Sequence, residues 1–182
     1  GAQVDEQSDD GSTALTFSSP HRECHPDVIR QLVKAGADPN HINHHNWTPL
    51  MKALINGSLT NVTTLLELGA NPHIKGGEYD WPPLQIAIRH NTGIEMVRVL
   101  LKHGADPNAT DKFKQSPLYM ARGNEGLSRL LLDAGASPLP IPVKELQFSP
   151  YPPIQEDLLL PIDCHTFQKA LNLKLPCYGE YH

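Results

Sequence analysis

The sequence predicts an all-α solenoid of stacked helix–turn–helix units, followed by a proline-rich C-terminal extension. Three observations point there. Thr48-Pro49-Leu50 returns as Pro82-Pro83-Leu84 and again as Ser116-Pro117-Leu118, with the Pro-Leu pairs 34 residues apart both times, and Ser12-Thr13-Ala14-Leu15 stands 35 residues before the first pair. A second phrase interleaves with the first in fixed phase: "LVKAGADPN" (32–40), "LLELGANPH" (65–73), "LLKHGADPN" (100–108) and "LLDAGASP" (131–138). Two patterns sharing one period mark an internal repeat, in which no unit buries its apolar face alone but a stack does. Finally, the 182 residues carry 6% aromatics and 17 prolines, which suits many short elements better than one large sheet core.

Thr or Ser before Pro is a helix N-cap whose hydroxyl accepts from an unpaired amide of the first turn. Pro at the first helical position sacrifices no hydrogen bond there. The second helix of each unit shows apolar residues at helical spacing: Val28, Ile29, Leu32 and Val33; then Val62, Leu65 and Leu66; then Met96, Val97, Leu100 and Leu101; then Leu127, Leu131 and Leu132. Gly36, Gly69, Gly104 and Gly135 follow, where a helix end calls for a left-handed residue. The first helix of the first unit is the least regular, because Pro20 interrupts "TALTFSSPHRECH".

These residues resemble the ankyrin-repeat family, whose unit of about 33 residues places a T-P-L-H-type phrase at the start of its first helix. The resemblance covers residues 10 to 139 as about four repeats, approximately 10–42, 43–76, 77–111 and 112–139. "NHINHHNWTPL" (40–50) and "NATDKFKQSPL" (108–118) align without gaps. The departures are specific. The family's His after T-P-L is Met51, Gln85 and Tyr119 here, so its capping hydrogen bond is expected to be absent. The third repeat carries about two extra residues, one near "GGEYDW" (76–81) and one near "NTG" (91–93). The fourth is shortened in its first helix, "LYMARGNEG" (118–126).

The resemblance implies a module that binds another protein through its turn tips and the end of each first helix. Aligned to that pattern, the tips carry His44, His45 and Trp47 in the second repeat, Glu78, Tyr79 and Trp81 in the third, and Lys112, Phe113 and Gln115 in the fourth. The first-helix positions are Ile55, Asn56, Arg89 and His90. Both tryptophans fall two residues before the Pro, a position that normally points outward. An outward aromatic ridge suits an interface hot spot, since Trp and Tyr desolvate much area at low entropy cost. The alternative is that Trp47 and Trp81 cover neighbouring turns or the inserted loop.

Several function classes are excluded or disfavoured. A net charge of −5 argues against a nucleic-acid surface, which needs a basic stripe. No run of 18 apolar residues exists to span a membrane. The letters hold no Gly-rich phosphate loop, no G-x-S-x-G and no H-E-x-x-H, so no enzyme activity and no cofactor are expected. His41, His44 and His45 cluster without the four convergent ligands of a zinc site. Cys24, Cys164 and Cys177 are odd in number and far apart, suggesting a reducing, cytoplasmic setting without a disulfide framework. The expected protein is a monomer. Residues 1–9 are polar, and Gly1-Ala2 without an initiating Met reads as a cleavage scar, which would make the chain a fragment.

Residues 140–182 form the extension. Seven prolines between 138 and 161 leave no room for a long helix, although "IDCHTFQKAL" (162–171) suits a short one. Ile141, Val143, Phe148 and Leu158 to Leu160 make it too apolar for a free linker. It is expected either to cap the last repeat or to dock elsewhere. Leu160 and Cys164 have the spacing of the L-x-x-x-C helix of a SOCS box, which recruits a ubiquitin ligase. Pro161 falls directly after Leu160 and speaks against it. Three functions therefore stand open: a binding adaptor, a substrate-recruiting subunit of a ubiquitin ligase, and the recognition region of a larger enzyme such as a microbial effector acting in host cytosol.

Overall fold

A computed structural model describes residues 4–20 and 25–137. The three cysteines and the C-terminal extension, with its SOCS-box spacing, lie outside the described residues. Within them the chain forms eight helices in four successive pairs: α1 (Ala14–Ser18) with α2 (Pro26–Lys34), α3 (Pro49–Ile55) with α4 (Leu59–Glu67), α5 (Pro83–Arg89) with α6 (Ile94–Lys102), and α7 (Pro117–Met120) with α8 (Glu125–Asp133). The first helices pack in sequence, α1 on α3, α3 on α5 and α5 on α7. The second helices make a parallel row behind them, α2 on α4 and α6 on α8. This is the stacked solenoid that the period predicts.

The caps explain why the helices start where they do. The hydroxyls of Thr13, Thr48 and Ser116 accept from Thr16, Met51 and Tyr119 backbone N–H. Pro82 occupies the same position before α5 and supplies no side-chain cap. Each second helix ends in one recurring hydrogen-bonded turn. In the second repeat Gly69 takes φ +93, Gly69 N–H donates to Leu66 O at 3.2 Å, and Ala70 N–H donates to Leu65 O at 2.9 Å. This double closure satisfies the last carbonyls of the helix. Ala37, Ala70, Ala105 and Ala136, the residues after the glycines, are all buried, which explains why the phrase reads Gly-Ala each time.

The core runs the length of the stack. Leu15, Leu50 and Leu84 from the first helices meet Ile29, Val62, Leu65, Met96, Val97, Leu100 and Leu131 from the second. Leu132 departs from the predicted apolar face: it is 47% exposed. Its counterpart Leu66 is buried because α4 sits in mid-stack, whereas α8 belongs to the last repeat described. The shortening of the fourth repeat is visible in α7, four residues long against seven in α3 and α5.

Candidate functional site

The turn tips are built by local polar side chains. Asn43 Oδ1 accepts from His45 and Trp47 N–H at 3.1 and 2.9 Å, and Asp111 Oδ1 accepts from Phe113 and Gln115 N–H at 2.8 and 3.1 Å. A short Asn or Asp side chain that mimics a backbone acceptor is the usual way to tighten such a turn. Burial pushes the Asp111 carboxyl above the ordinary carboxylate value, opposed by the two backbone N–H donors and by Lys75. In the third repeat the same position is Gly76, where a Cβ would come within 2.1 Å of Asn46 O and 2.6 Å of Met51 Sδ. No acceptor side chain fits there, and a short antiparallel bridge between Gly76 and Trp81 closes that tip instead.

Neighbouring tips are joined by backbone. His44 N–H donates to Asp10 O, Gly77 N–H to Asn46 O, and Lys112 N–H to Tyr79 O, each at 3.0 Å. The tips therefore form a continuous edge, and the aromatic side chains on it come together. Trp47 and Trp81 have ring centroids 6.3 Å apart, Tyr79 and Trp81 5.1 Å, and Tyr79 and Phe113 5.7 Å, all tilted. These spacings lie in the range where ring quadrupoles attract. Two cations lie against this row. The Arg89 guanidinium reaches from the end of α5 to 5.0 Å from the Trp81 ring, and Lys112 Nζ lies 4.9 Å from the Tyr79 ring and 5.8 Å from Phe113. Lys112 Nζ also donates to Glu78 O at 3.0 Å.

The structure thus unites Trp47, Tyr79, Trp81, Arg89, Lys112 and Phe113, six of the thirteen expected residues, in one row over three tips. One of them requires a correction. Trp47 does not point outward: it is 6% exposed. The Gly76-Gly77 turn lies over its indole, close enough that a Cβ on Gly77 would meet the ring at 2.9 Å. The extra residue in the third tip thus makes Trp47 a packing residue for the next repeat. Trp81 is half-buried, Tyr79 half-buried and Phe113 exposed.

The remaining expected residues are scattered around this row. His44 covers Gly11 of the first tip, where a Cβ would strike its ring at 2.6 Å, and His41 Nε2 lies 2.7 Å from Gly11 O. His45 is exposed and Glu78 is exposed, on separate tips. Ile55 packs partly against the core, and Asn56 Nδ2 donates to Lys52 O at 3.3 Å as the C-cap of α3. Burial and the adjacent Arg89 hold the His90 pKa below its ordinary value. Gln115 O accepts from Gln85 Nε2 at 2.6 Å. Gln85 also donates to Ala109 O at 3.2 Å, and it is fully buried. Where the sequence suggested only a lost cap, Gln85 ties the third repeat to the loop of the fourth. Sequence reasoning also missed the Arg122 guanidinium, 4.2 Å from the Tyr119 ring. Its signal was available, since both residues belong to the first-helix segment of the fourth repeat. Among the described residues no group of His, Cys, Asp and Glu could hold a metal ion, and no helix is long and apolar enough to cross a membrane.

Comparison with known proteins agrees with this architecture. The family model "Ankyrin repeats (3 copies)" matches residues 1–76 and the model "Ankyrin repeat" matches residues 79–112. The chain is 29% identical over 165 residues to the ankyrin repeat protein YahD of Escherichia coli, covering 69% of this chain and 81% of that protein. It is 32% identical over 126 residues to ankyrin repeat and SOCS box protein 5 of Mus musculus, covering 67% of this chain and 37% of that protein. It is 36% identical over 92 residues to palmitoyltransferase ZDHHC13 of Homo sapiens, covering 50% of this chain and 15% of that protein. The chain therefore spans most of the bacterial relative but well under half of the two mammalian ones.

Proposed function

The chain belongs to the ankyrin-repeat family, and from that premise we propose that it is a non-enzymatic adaptor, monomeric and cytoplasmic, that holds a partner protein on the tip row of its third and fourth repeats. A protein-interaction module is what this family's repeats provide. Because a scaffold does not fix a site, the site must be argued from its own residues. The observation that carries the reading is the run Trp81–Tyr79–Phe113 with Arg89 and Lys112 laid against its rings. Aromatic and Arg side chains already held in place lose little entropy on binding and bury much area. Trp47 has a different role, cementing the second repeat to the third. The test is a pull-down from cell extract with the wild-type chain and with the Tyr79→Ala, Phe113→Ala double variant. Partner capture is expected to disappear while the thermal midpoint shifts by only a few degrees. Retained capture in a folded double variant would refute the assignment.

A second reading has two observations in its favour: a mouse relative whose name includes a SOCS box, and the Leu160 and Cys164 spacing. On that reading the repeats recruit a substrate and residues 140–182 engage a ubiquitin ligase. Co-purification of ligase components with the full chain, lost on deleting 140–182, would favour it over the simple adaptor.

A further inference from the structure

Charge is divided unevenly between the two helix rows. The second helices are mixed, with Asp27, Glu67, Glu95, Glu125 and Asp133 among their residues, and carry ion pairs such as Arg30–Asp27 at 2.9 Å and Arg98–Glu95 at 3.4 Å. In the second to fourth repeats the first helices and the turns that follow them, residues 49–58, 83–94 and 117–124, contain no Asp or Glu. They do contain Lys52, Arg89 and Arg122, and the adjoining fourth tip adds Lys112. Three of these cations lie against an aromatic ring: Arg89 on Trp81, Lys112 on Tyr79 and Arg122 on Tyr119. Neither Lys52 nor Lys112 forms an ion pair among the described residues. Burial lowers the Lys52 pKa, opposed by the charge of Asp10. In a chain whose net charge is −5, first-helix segments that hold Lys52, Arg89 and Arg122 and no carboxylate are a local reversal of sign, although the third tip beside them carries Glu78 and Asp80.

From this reversal we infer that the partner is recognised through an acidic, extended polypeptide segment laid along the first-helix row, its carboxylates meeting Arg89 and Lys112 and its apolar side chains lying on Trp81, Tyr79 and Phe113. The inference deepens the tip-row reading and rests on it. Lys112 lies against Tyr79 and donates one N–H to Glu78 O, contacts that fix the cation's position without neutralising it. Complementary charge then selects the partner and speeds encounter, while the rings supply the burial. A peptide with a few carboxylates fits this strip better than a nucleic acid does. Exposed Glu78 and Asp80 flank the rings on the third tip: a strand with a charge at every phosphate must pass them, whereas a peptide sets its few carboxylates against Arg89 and Lys112 and uncharged side chains beside those two.

The test is selection of a displayed library of random peptides, about 12 residues long, on the full chain, followed by affinity measurement on the selected peptides. Selected sequences are expected to be enriched in Asp and Glu. Their affinity should fall about tenfold or more with Lys112→Glu, an exposed position, and with Arg89→Gln, each verified as folded by circular dichroism. It should also fall as salt is raised from about 0.05 to about 0.5 M. Peptides that need Tyr79 and Phe113 but lack acidic enrichment, or that ignore Lys112→Glu, would overturn this inference and leave the tip-row reading standing. Peptides indifferent to Tyr79→Ala and Phe113→Ala would overturn the tip-row reading itself. An empty selection, or tighter binding of an oligouridylate probe at the same residues, would overturn the peptide assignment.

Discussion

The junction between the second and third repeats is held together differently from the junctions on either side of it. Between the first and second repeats, Asn40 Nδ2 donates to Gly69 O at 3.1 Å and Asn40 Oδ1 accepts from Asn71 N–H at 2.7 Å. Between the third and fourth, Asn108 makes the same pair with Gly135 O and Ser137 N–H, at 3.0 and 2.7 Å. Between the second and third the equivalent residue is His73, and no such pair forms among the described residues. The helices behind it, α4 and α6, also pack less closely than the other neighbours of their row. The tips are joined at every junction, through His41 and His44 on Gly11 at the first, through Tyr79–Phe113, Lys112 and Gln85 at the last, and through a buried indole at the middle one. This junction has the Trp47–Trp81 contact, the Gly76-Gly77 turn lying on Trp47, and Met51 against Gly76. The comparison teaches that the departures from the repeat pattern compensate one another. Where the loop clamp is missing, the tip is reinforced, and the residues that reinforce it include one that the repeat pattern alone assigns to binding.

The comparison can be broken most forcefully at Trp47. Trp47→Ala should cost about 3–5 kcal/mol of stability, the usual loss for a buried aromatic, read as a lower urea midpoint with broadening as the halves of the stack uncouple. A loss below about 1 kcal/mol would mean that the indole is not cement. The loop clamps are a smaller matter. Asn108→Ala removes two hydrogen bonds at an exposed site and should cost about 1 kcal/mol. The reciprocal change, His73→Asn, should stabilise by about 0.5–1 kcal/mol, by supplying the clamp that the middle junction lacks. Equal effects of Asn at 73 and Ala at 108, in the same direction, would show that the asymmetry between junctions has no energetic content.

Much of this architecture is legible in the letters because repetition multiplies a weak local signal. A single Thr-Pro-Leu predicts a capped helix, and three at one period predict a stack. The short first helix of the fourth repeat and the helix-ending glycines are equally local and equally readable. The site is only half legible. Alignment finds the tip positions, and Tyr79, Phe113 and Lys112 are among them. It does not reveal that one extra residue near Gly76 swings a turn over Trp47, because side-chain burial at a tip depends on the neighbouring repeat. Gln85 was opaque for the same reason: its partners, Ala109 O and Gln115 O, lie 24 and 30 residues away in sequence. Leu132 failed in the opposite direction, since helical spacing marks a face without saying whether another helix covers it.

The most direct test of the account is hydrogen–deuterium exchange of the full chain, alone and with a captured partner. Binding is expected to slow exchange at the tip amides of residues 77–81 and 111–115, and to leave the clamped loops at 38–41 and 106–108 unchanged. Protection confined to those loops or to the second helices, with the tips unaffected, would contradict it.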